Sequence, residues 1–492
     1  MNTYELISSL KIKQQIGKLP NTISSISHNS RQVDDNSLFI CISGFTVDGH
    51  NFVAEAVENG ATCIVAEREV NLDTNKATLI IVPDTNKAIA TLAATFYKHP
   101  SHNLTIYGVT GTNGKTTVTT IINHLLTDNE LSTALIGTNG FQINKDIYSS
   151  SNNTTSDVLT NQHMLYEAKN QGVTHVAMEV SSHGLEQGRL WGIDFTVATF
   201  TNLSHEHLDY HGSMEEYAAT KVQLFSSLAI QPNKQKIAVL NRDDNWYEYF
   251  QKRTPVQIVS YGIYEQADFR ATAIKYYKDR TSFELLTPEG SFQVQTKLMG
   301  EFNVYNVLAA IASVYVKESI PLTDLVKSIE GTPTPPGRME KLESSGNRHI
   351  YIDYAHTPDA LTKAINSLLP FKQNKLIVVV GTGGDRDKSI RPLLAKAASV
   401  ADYVILTIND PRHEDPNNIL QDLENGMLHH QYTCLENRKE AIREAINYSS
   451  PNDIILIAGK GKEPYQIIKN KKVAHNDATI ALECSNELFP NI

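Results

Sequence analysis

The chain is 492 residues long, and at ~150 residues per domain that length suggests about three domains. With 41% hydrophobic residues it can bury several cores and needs no disulfide or metal staple to fold. Lys and Arg number 44 against 54 Asp and Glu, a formal charge of −10; this argues against nucleic acid as the partner, although a local basic pocket is compatible with it.

The four cysteines, Cys41, Cys63, Cys434 and Cys484, stand far apart and form no CxxC pair, so they read as small hydrophobes in a reducing compartment. Residues 1–20 lack the apolar core of a signal peptide. Apolar runs such as LIVVV (376–380) fall far short of the ~18 residues that suggest a membrane span. The expectation is a cytoplasmic protein with no membrane partner. No residue pattern encodes oligomeric state, and a monomer is the default expectation.

Short β-branched runs alternate with helical patterns between residues 37 and 97, which predicts a small α/β domain over 1–103 ending in the polar linker KHPSHN (98–103). A second α/β run starts at Leu104, with the strand-like stretches LTIYGVT, THVAMEV, FTVATFT and KIAVL. It lasts to GTPTPPGR (331–338), whose three prolines and two glycines resist both helix and sheet, giving a central domain over 104–336. HIYIDYA, LIVVVGT, DYVILTI and DIILIAGK then alternate with amphipathic helices, a Rossmann-like α/β domain over 337–492. Ligands of mostly parallel sheets bind beyond the strand C-termini, and each motif below follows one of these strands.

LTIYGVT runs into GTNGKTT (111–117) and an apolar-periodic helix. Gly111 and Gly114 let the backbone turn its N–H groups toward phosphate oxygens, across Thr112 and Asn113. Lys115 reaches the terminal phosphates, and Thr116, followed by Thr117, offers a hydroxyl to Mg²⁺ at a helix N-terminus. Val109 stands where the strict pattern has its first Gly, so this is a shorter variant. The bland alternative is a Gly-rich turn with an incidental Lys, which the strand–loop–helix context disfavours. A phosphate loop by itself says only that a nucleoside triphosphate binds.

THVAMEV delivers Glu179 at its end, followed by SSH, and the next strand delivers Asn202 and then SHEHLDYHG. His205, Glu206, His207, Asp209 and His211 fall within seven residues, the carboxylate and imidazole supply a Mg²⁺-nucleotide site needs. Zinc is less apt, since the run is no HExxH helix and holds no Cys; a solvated polar loop is the bland alternative. Lys221 lies among apolar neighbours on EEYAATKVQLFSSL, where a lone lysine usually snorkels.

Taken together, TGTNGKTT, MEVSSH, FTNLSHEHLDYHG and YAATKVQLF resemble the Mur ligases, ATP-dependent amide-bond-forming enzymes of peptidoglycan precursor synthesis. The resemblance covers most of the chain. NSRQV (29–33) and DGHNF (48–52) resemble the family's N-terminal UDP-binding domain; NRDD, GEFNVYN and GRME fit its central ATPase domain. YIDYAHTPDAL, GTGGDRDKSIRP, NDPRHEDP and AGKGKEPYQ fit its C-terminal amino-acid-binding domain and point to the ligase that adds the third residue of the peptide.

The resemblance implies that a D-glutamate γ-carboxylate of UDP-N-acetylmuramoyl-L-alanyl-D-glutamate takes the γ-phosphate of ATP, and that an amine then displaces phosphate from the acyl phosphate. Carried over, Lys115, Glu179, His207 and Lys221 form the catalytic set. Thr116 and Glu179 serve one Mg²⁺, and His207 a second, with Lys221 as a CO₂-derived carbamate. Burial of that lysine would favour the neutral amine that reacts with CO₂. Asn303, Asn306, Arg338 and Asp353 match ATP contacts; Ser30, Thr154, Thr155, Ser182 and Arg189 match contacts to the UDP-muramoyl-dipeptide. Ser156, Glu206 and Thr220 depart from the family's NTTPD, DHLD and AK patterns but keep the reacting groups.

For the added amino acid, the resemblance implies that Arg412 and Arg386 hold a distal carboxylate, that Glu463 holds a distal ammonium, and that Asp410 and Gly459 line the same site. This favours meso-diaminopimelate over L-lysine or another diamino acid. Asp410 stands where the family has Asn, so it would repel a distal carboxylate or attract an ammonium; Lys462, in place of His, adds a charge to offset it. Rival readings are disfavoured: an NTPase switch would need neither outer domain, and a non-catalytic sensor would be expected to lose Lys115, Glu179 or Lys221. A folylpolyglutamate synthetase would lack the NSR, DGH and NDPR segments.

Overall fold

In LIVVV, successive side chains face opposite sides of a strand, so a sheet covered on both faces wants an unbroken apolar run. The computed structural model, which describes residues 1–44, 47–144, 146–149, 153–228 and 234–489, shows this arrangement. Leu376, Val378 and Val380 enter one core with Leu361, Ile365 and Leu394, while Ile377 and Val379 enter another with Ile442, Ile446 and Ala481. The sheet runs in the order Glu340–Leu342, His349–Asp353, Ile454–Ala458, Leu376–Thr382, Tyr403–Ile408, Tyr432–Cys434. All its pairings are parallel except that of the first strand. Two of its helices start at side-chain caps: Thr357 accepts from the Ala360 N–H ahead of Pro358–Leu368, and Asn437 from Lys439 and Glu440 ahead of Arg438–Tyr448.

Two compact units divide the chain. The first comprises Met1–Thr110, Glu130–Ala198 and Gln223–Ile237; the second comprises Gly111–Asn129, Thr199–Val222 and Ala238–Ile492. Within the first, a five-stranded sheet takes the order Gln14–Ile16, Thr78–Ile81, Ala61–Ala66, Ser37–Ile40, Ile26–Ser27, with only the Gln14–Ile16 pairing antiparallel. Alternate residues of its strands again feed two cores. The same unit pairs Thr105–Thr110, His175–Glu179 and Thr133–Gly137 in parallel, followed by two antiparallel strands. The segment expected as a linker, 98–103, instead turns through left-handed Lys98 and His99 into the 3-10 helix Pro100–Asn103. The second unit adds Gln257–Gly262, Phe269–Tyr276, Thr281–Thr287 and Gly290–Thr296, and the helix Glu301–Tyr315. That helix is buried nearly all round, as its run of Val, Leu, Ala and Ile requires.

Among the described residues no helix is long and apolar enough to cross a membrane. All four cysteines are free; Cys41, Cys63 and Cys484 are buried and Cys434 is half-buried, and burial pushes the Cys63 thiol up to about 12.

The C-terminal domain also buries an ion pair. Arg438, wholly buried, donates from Nε and Nη2 to both oxygens of buried Asp477 (2.9 and 2.7 Å), from Nη1 to Asn409 Oδ1 (2.8 Å) and from Nη2 to the Ala458 carbonyl (2.9 Å). Replacing one partner strands the other charge, so Arg438→Met should destabilise by about 3–5 kcal/mol. Arg438→Met combined with Asp477→Leu should recover most of that loss in denaturant titration.

Candidate functional site

The strand Thr105–Thr110 ends at Gly111 (φ +152°), and the helix Lys115–Asp128 starts after Gly114 (φ +90°), so both glycines of the loop take backbone angles an L side chain resists. Two residues at the end of the strand Val197–Phe200 pin the loop. Thr112 N donates to Asn202 O (2.8 Å), Asn113 N to Asn202 Oδ1 (3.0 Å), and Thr201 Oγ1 to Asn113 O (2.6 Å). The Lys115 ammonium lies on the loop's own carbonyls, Gly111 O and Thr112 O, both at 2.8 Å. Thr116 is buried and its hydroxyl accepts from Arg338 Nη2 (3.3 Å).

A cavity of about 490 Å³ opens beside this loop. Asn113, Gly114, Thr117, Asn306, Arg338 and Asp353, all expected from the sequence as ATP contacts, line it. Asn303 is buried one step behind: its Nδ2 donates to Met299 O (2.8 Å) and its Oδ1 accepts from Asn306 Nδ2 (2.9 Å). Asp353 receives N–H bonds from Met339 (2.7 Å) and Ala355 (2.8 Å), and burial raises its pKa against the pull of Arg338. The cavity's aromatic walls, Tyr276, Phe302, Tyr305 and Tyr354, were not singled out from the sequence. Phe302 and Tyr305 lie inside GEFNVYN, so that motif held their signal; Tyr276 had none.

Lys221 does not snorkel. Its side chain is 1% exposed on the helix Met214–Ser226, its Nζ donates to Gly111 O (3.0 Å), and it lies 4.5 Å from the Tyr217 ring centroid. Burial, reinforced by Lys115, drives its pKa well below that of an ordinary lysine, with Glu206 opposing. Glu206, the substitution in the DHLD pattern, accepts from His356 Nε2 at 3.0 Å. The His356 Nδ1 lies 2.8 Å from the Tyr354 carbonyl, so the ring sits between two acceptors, a setting that favours its charged form. Burial works against that charge, yet the Glu206 contact outweighs it and raises the His356 pKa. For Glu206 burial is likewise outweighed, by His356, His207 and Lys115, and its pKa falls far below the usual range.

The His/Asp/Glu run expected to form one metal cluster is dispersed. His207 is left-handed (φ +57°) with Nε2 3.7 Å from Glu206 Oε1; His205 turns to Asp387 (3.7 Å); Asp209 is exposed; His211 is buried against Tyr217. Among the described residues no three His, Cys, Asp or Glu side chains converge as a metal-holding group. The donor chemistry still suits Mg²⁺, which takes few protein oxygens and completes its shell from phosphates and water. Thr116 supplies a buried hydroxyl at a helix N-terminus, and Lys221 is a buried amine whose charged form burial disfavours.

In the first unit, Glu179 is buried at a strand end. Its carboxylate accepts from Thr138 N (2.8 Å) and Thr138 Oγ1 (3.2 Å), and that hydroxyl also contacts Thr154 Oγ1 (3.2 Å). Thr155 Oγ1 donates to Glu179 O (3.1 Å) and accepts from Ser181 N (3.0 Å), while Arg189 Nη1 donates to Thr155 O (2.8 Å). Ser182 is buried at the start of the short helix Ser182–Glu186. Glu179, Thr154, Thr155, Ser182 and Arg189 are thus gathered within one stretch of this unit. Thr154 also lines a cavity of about 210 Å³ with Asn153, Ser156 and Asp157. Ser30, elsewhere in the unit, is buried and donates to Glu55 Oε2 (2.8 Å).

The residues expected to hold an amino acid meet beyond the C-terminal sheet. Arg412 is left-handed (φ +51°) and donates from Nη1 to Gly384 O (3.1 Å), while Gly384 N donates to Asp410 O (2.8 Å), tying the Arg386 and Arg412 loops together. Burial and the Arg386 charge lower the Arg412 pKa, with Asp410, Asp385 and Glu463 opposing. Gly459 (φ +115°) sits where a Cβ would come within 2.5 Å of Asn409 Nδ2. Lys460, two positions before Lys462, lies on Asp410 (3.0 Å) and also reaches Glu463 (2.7 Å).

A strand–loop–helix phosphate loop with a cavity beside it and a buried lysine on its Gly111 carbonyl define a nucleotide-binding α/β protein. Residues 22–97 match the Mur ligase family catalytic domain, 109–314 the Mur ligase middle domain and 337–461 the Mur ligase glutamate ligase domain. The chain is 39% identical over 490 residues to the UDP-N-acetylmuramoyl-L-alanyl-D-glutamate–L-lysine ligase of Staphylococcus aureus, with 99% of both chains covered. It is 43% identical over 464 residues to the UDP-N-acetylmuramoyl-L-alanyl-D-glutamate–2,6-diaminopimelate ligase of Geobacillus kaustophilus, covering 93% of this chain and 94% of the relative. A solved UDP-N-acetylmuramoyl-L-alanyl-D-glutamate–2,6-diaminopimelate ligase matches at a TM-score of 0.65 and 33% identity over 95% of each chain. The chain belongs to the Mur ligase family, with its three-domain α/β fold and its ATP-dependent amide-bond-forming activity.

Proposed function

We propose that this ligase adds meso-diaminopimelate to UDP-N-acetylmuramoyl-L-alanyl-D-glutamate, through an acyl phosphate, as a step of peptidoglycan precursor synthesis. Addition of a diamino acid to that dipeptide is supported by both relatives, one named for L-lysine and one for diaminopimelate. The choice between them rests on one observation: the guanidiniums of Arg386 and Arg412 share a loop pair, an arrangement that attracts a second carboxylate.

A carboxylate is a poor acylating agent, and its attack on ATP brings two anions together, so the protein's work is positioning and charge neutralisation. Gly111, Thr112, Asn113 and Gly114 present backbone to the phosphates. Lys115, now resting on two carbonyls, swings onto the terminal phosphates, and Arg338 adds a cation beside Thr116. Asn303, Asn306 and Asp353 hold the nucleoside end of ATP. Thr154, Thr155, Ser182, Arg189 and Ser30 orient the UDP-muramoyl-dipeptide. Bound Mg²⁺ would neutralise phosphate charge; within the second unit Thr116 is suited to one ion, and His207 with a carbamate of Lys221 to a second. Arg386, Arg412 and Glu463 orient the incoming amino acid so that its amine faces the acyl phosphate.

L-Lysine is the second reading, favoured by the carboxylates Asp410 and Glu463 and by the S. aureus relative. Measuring kcat/KM for meso-diaminopimelate, L-lysine and L-ornithine decides between them. Arg412→Ala should raise KM for meso-diaminopimelate by at least about 10²-fold and leave L-lysine turnover nearly unchanged. A wild-type preference for lysine would defeat the meso-diaminopimelate assignment.

A further inference from the structure

Two residues past the strand Ile454–Ala458, the side chain of Lys460 is wholly buried, yet its ammonium ends on carboxylates that are not. Nζ donates to Asp410 Oδ1 at 3.0 Å and to Glu463 Oε2 at 2.7 Å, while the Asp410 and Glu463 side chains remain 15% and 32% exposed. Asp410 Oδ1 also accepts from Ile467 N (2.8 Å), and Glu463 Oε1 from the Tyr354 hydroxyl (3.2 Å). The cation therefore lies behind the two acids and each acid keeps an accessible edge.

The arrangement has a consequence for what those acids can recognise. Two neighbouring carboxylates with no cation of their own are a receptor for an ammonium, the one charged group at the end of a lysine side chain. Here a resident ammonium already spans them. Arg412 faces the charges of Arg386, Asp410, Asp385 and Glu463, and Lys460 offsets one of the two negative charges on Asp410 and Glu463. Carboxylate oxygens have further lone pairs, so a zwitterionic terminus can still place its ammonium on Glu463 while its carboxylate goes to the arginines. A terminus with an ammonium alone meets acids half-neutralised by Lys460 and has no carboxylate to offer Arg386 and Arg412.

We infer that Lys460 is a positioning and specificity-determining residue: an internal ammonium that compensates Asp410 and Glu463 and biases the site toward an amino acid with a distal carboxylate. This rests on the reading that the Asp410–Arg412 loop holds the amino-acid substrate. It also accounts for Asp410, an acid in a place where a carboxylate substrate would otherwise be repelled.

The test is the ratio of kcat/KM for meso-diaminopimelate to that for L-lysine, measured with saturating ATP and dipeptide precursor. Lys460→Met should lower the ratio by at least about tenfold, through KM of the amino acid, with KM for ATP within about twofold of wild type. Adding Asp410→Asn to that variant should bring the ratio back toward wild type. Equal losses on both substrates, or an unchanged ratio, would reduce Lys460 to a structural residue. Should Lys460→Met fail to fold, Asp410→Asn alone serves: releasing Lys460 from one acid should raise the ratio by about threefold or more, and a fall or no change would overturn the inference. Wild-type preference is a separate result. An enzyme that prefers lysine contradicts the meso-diaminopimelate assignment, whereas the direction in which the variants move the ratio still judges Lys460.

Discussion

Replacing Lys221 with alanine is expected to lower kcat by about 10²–10³-fold while leaving the fold intact. The side chain is buried in the second unit, with its Nζ on the Gly111 carbonyl and the Tyr217 ring beside it. Left as an ammonium, it would place a second cation near Lys115, and burial already weighs against that form. The neutral amine is the form that would add CO₂ with loss of a proton, and the carbamate would replace a donor by an anion whose single charge is shared by two oxygens. A purely structural lysine would behave otherwise: its loss would cost stability through Gly111 and would not be repaired by a small anion. Adding formate or acetate to Lys221→Ala should therefore restore part of the activity, and intact-protein mass measurement should show the CO₂ adduct on the wild type only. Near-normal turnover in Lys221→Ala would return this residue to a packing role.

What the sequence disclosed, and what it hid, follows from how local each feature is. The phosphate loop was readable because strand, glycines and helix start are contiguous and its function lies in backbone N–H groups. The C-terminal sheet was readable because LIVVV and its partner strands are apolar on both faces. Side-chain convergence was much less readable. The run from His205 to His211 looks like a single cluster on paper, yet left-handed His207 and the short helix Leu208–His211 turn successive side chains toward different neighbours. Lys460 and Lys462 differ by two positions across Gly461, itself at φ +53°, so spacing could not say which ammonium reaches Asp410. His356 and Glu206 lie 150 residues apart, and only the fold joins them. The aromatic wall at Tyr276 belongs to a strand whose sequence gives no hint of a ligand.

Gly111→Ala is expected to cost both stability and ATP binding. A Cβ at Gly111 would stand 1.9 Å from Thr201 Oγ1 and 3.0 Å from both N and O of Asn202. The hydroxyl it meets is engaged, since Thr201 Oγ1 donates to Asn113 O at 2.6 Å, and the backbone it meets is the partner of Thr112. Relief thus requires the phosphate loop to move away from the strand end that fixes it, and Lys115 and Lys221, both resting on the Gly111 carbonyl, move with it. Overpacking of this kind costs about 1–3 kcal/mol in stability. Displacing the loop by about 1 Å should cost a further 10²-fold in turnover, with a raised KM for ATP. Gly172→Ala separates the two causes: Gly172 also has a positive φ (+78°), but nothing lies within 4 Å of its Cβ position. That variant should lose about 1 kcal/mol from backbone strain alone and keep its activity. The comparison needs only denaturant titration and steady-state kinetics on the two variants. Wild-type KM for ATP in Gly111→Ala would mean that the loop tolerates displacement and that its hydrogen bonds to Thr201 and Asn202 do not set the phosphate site.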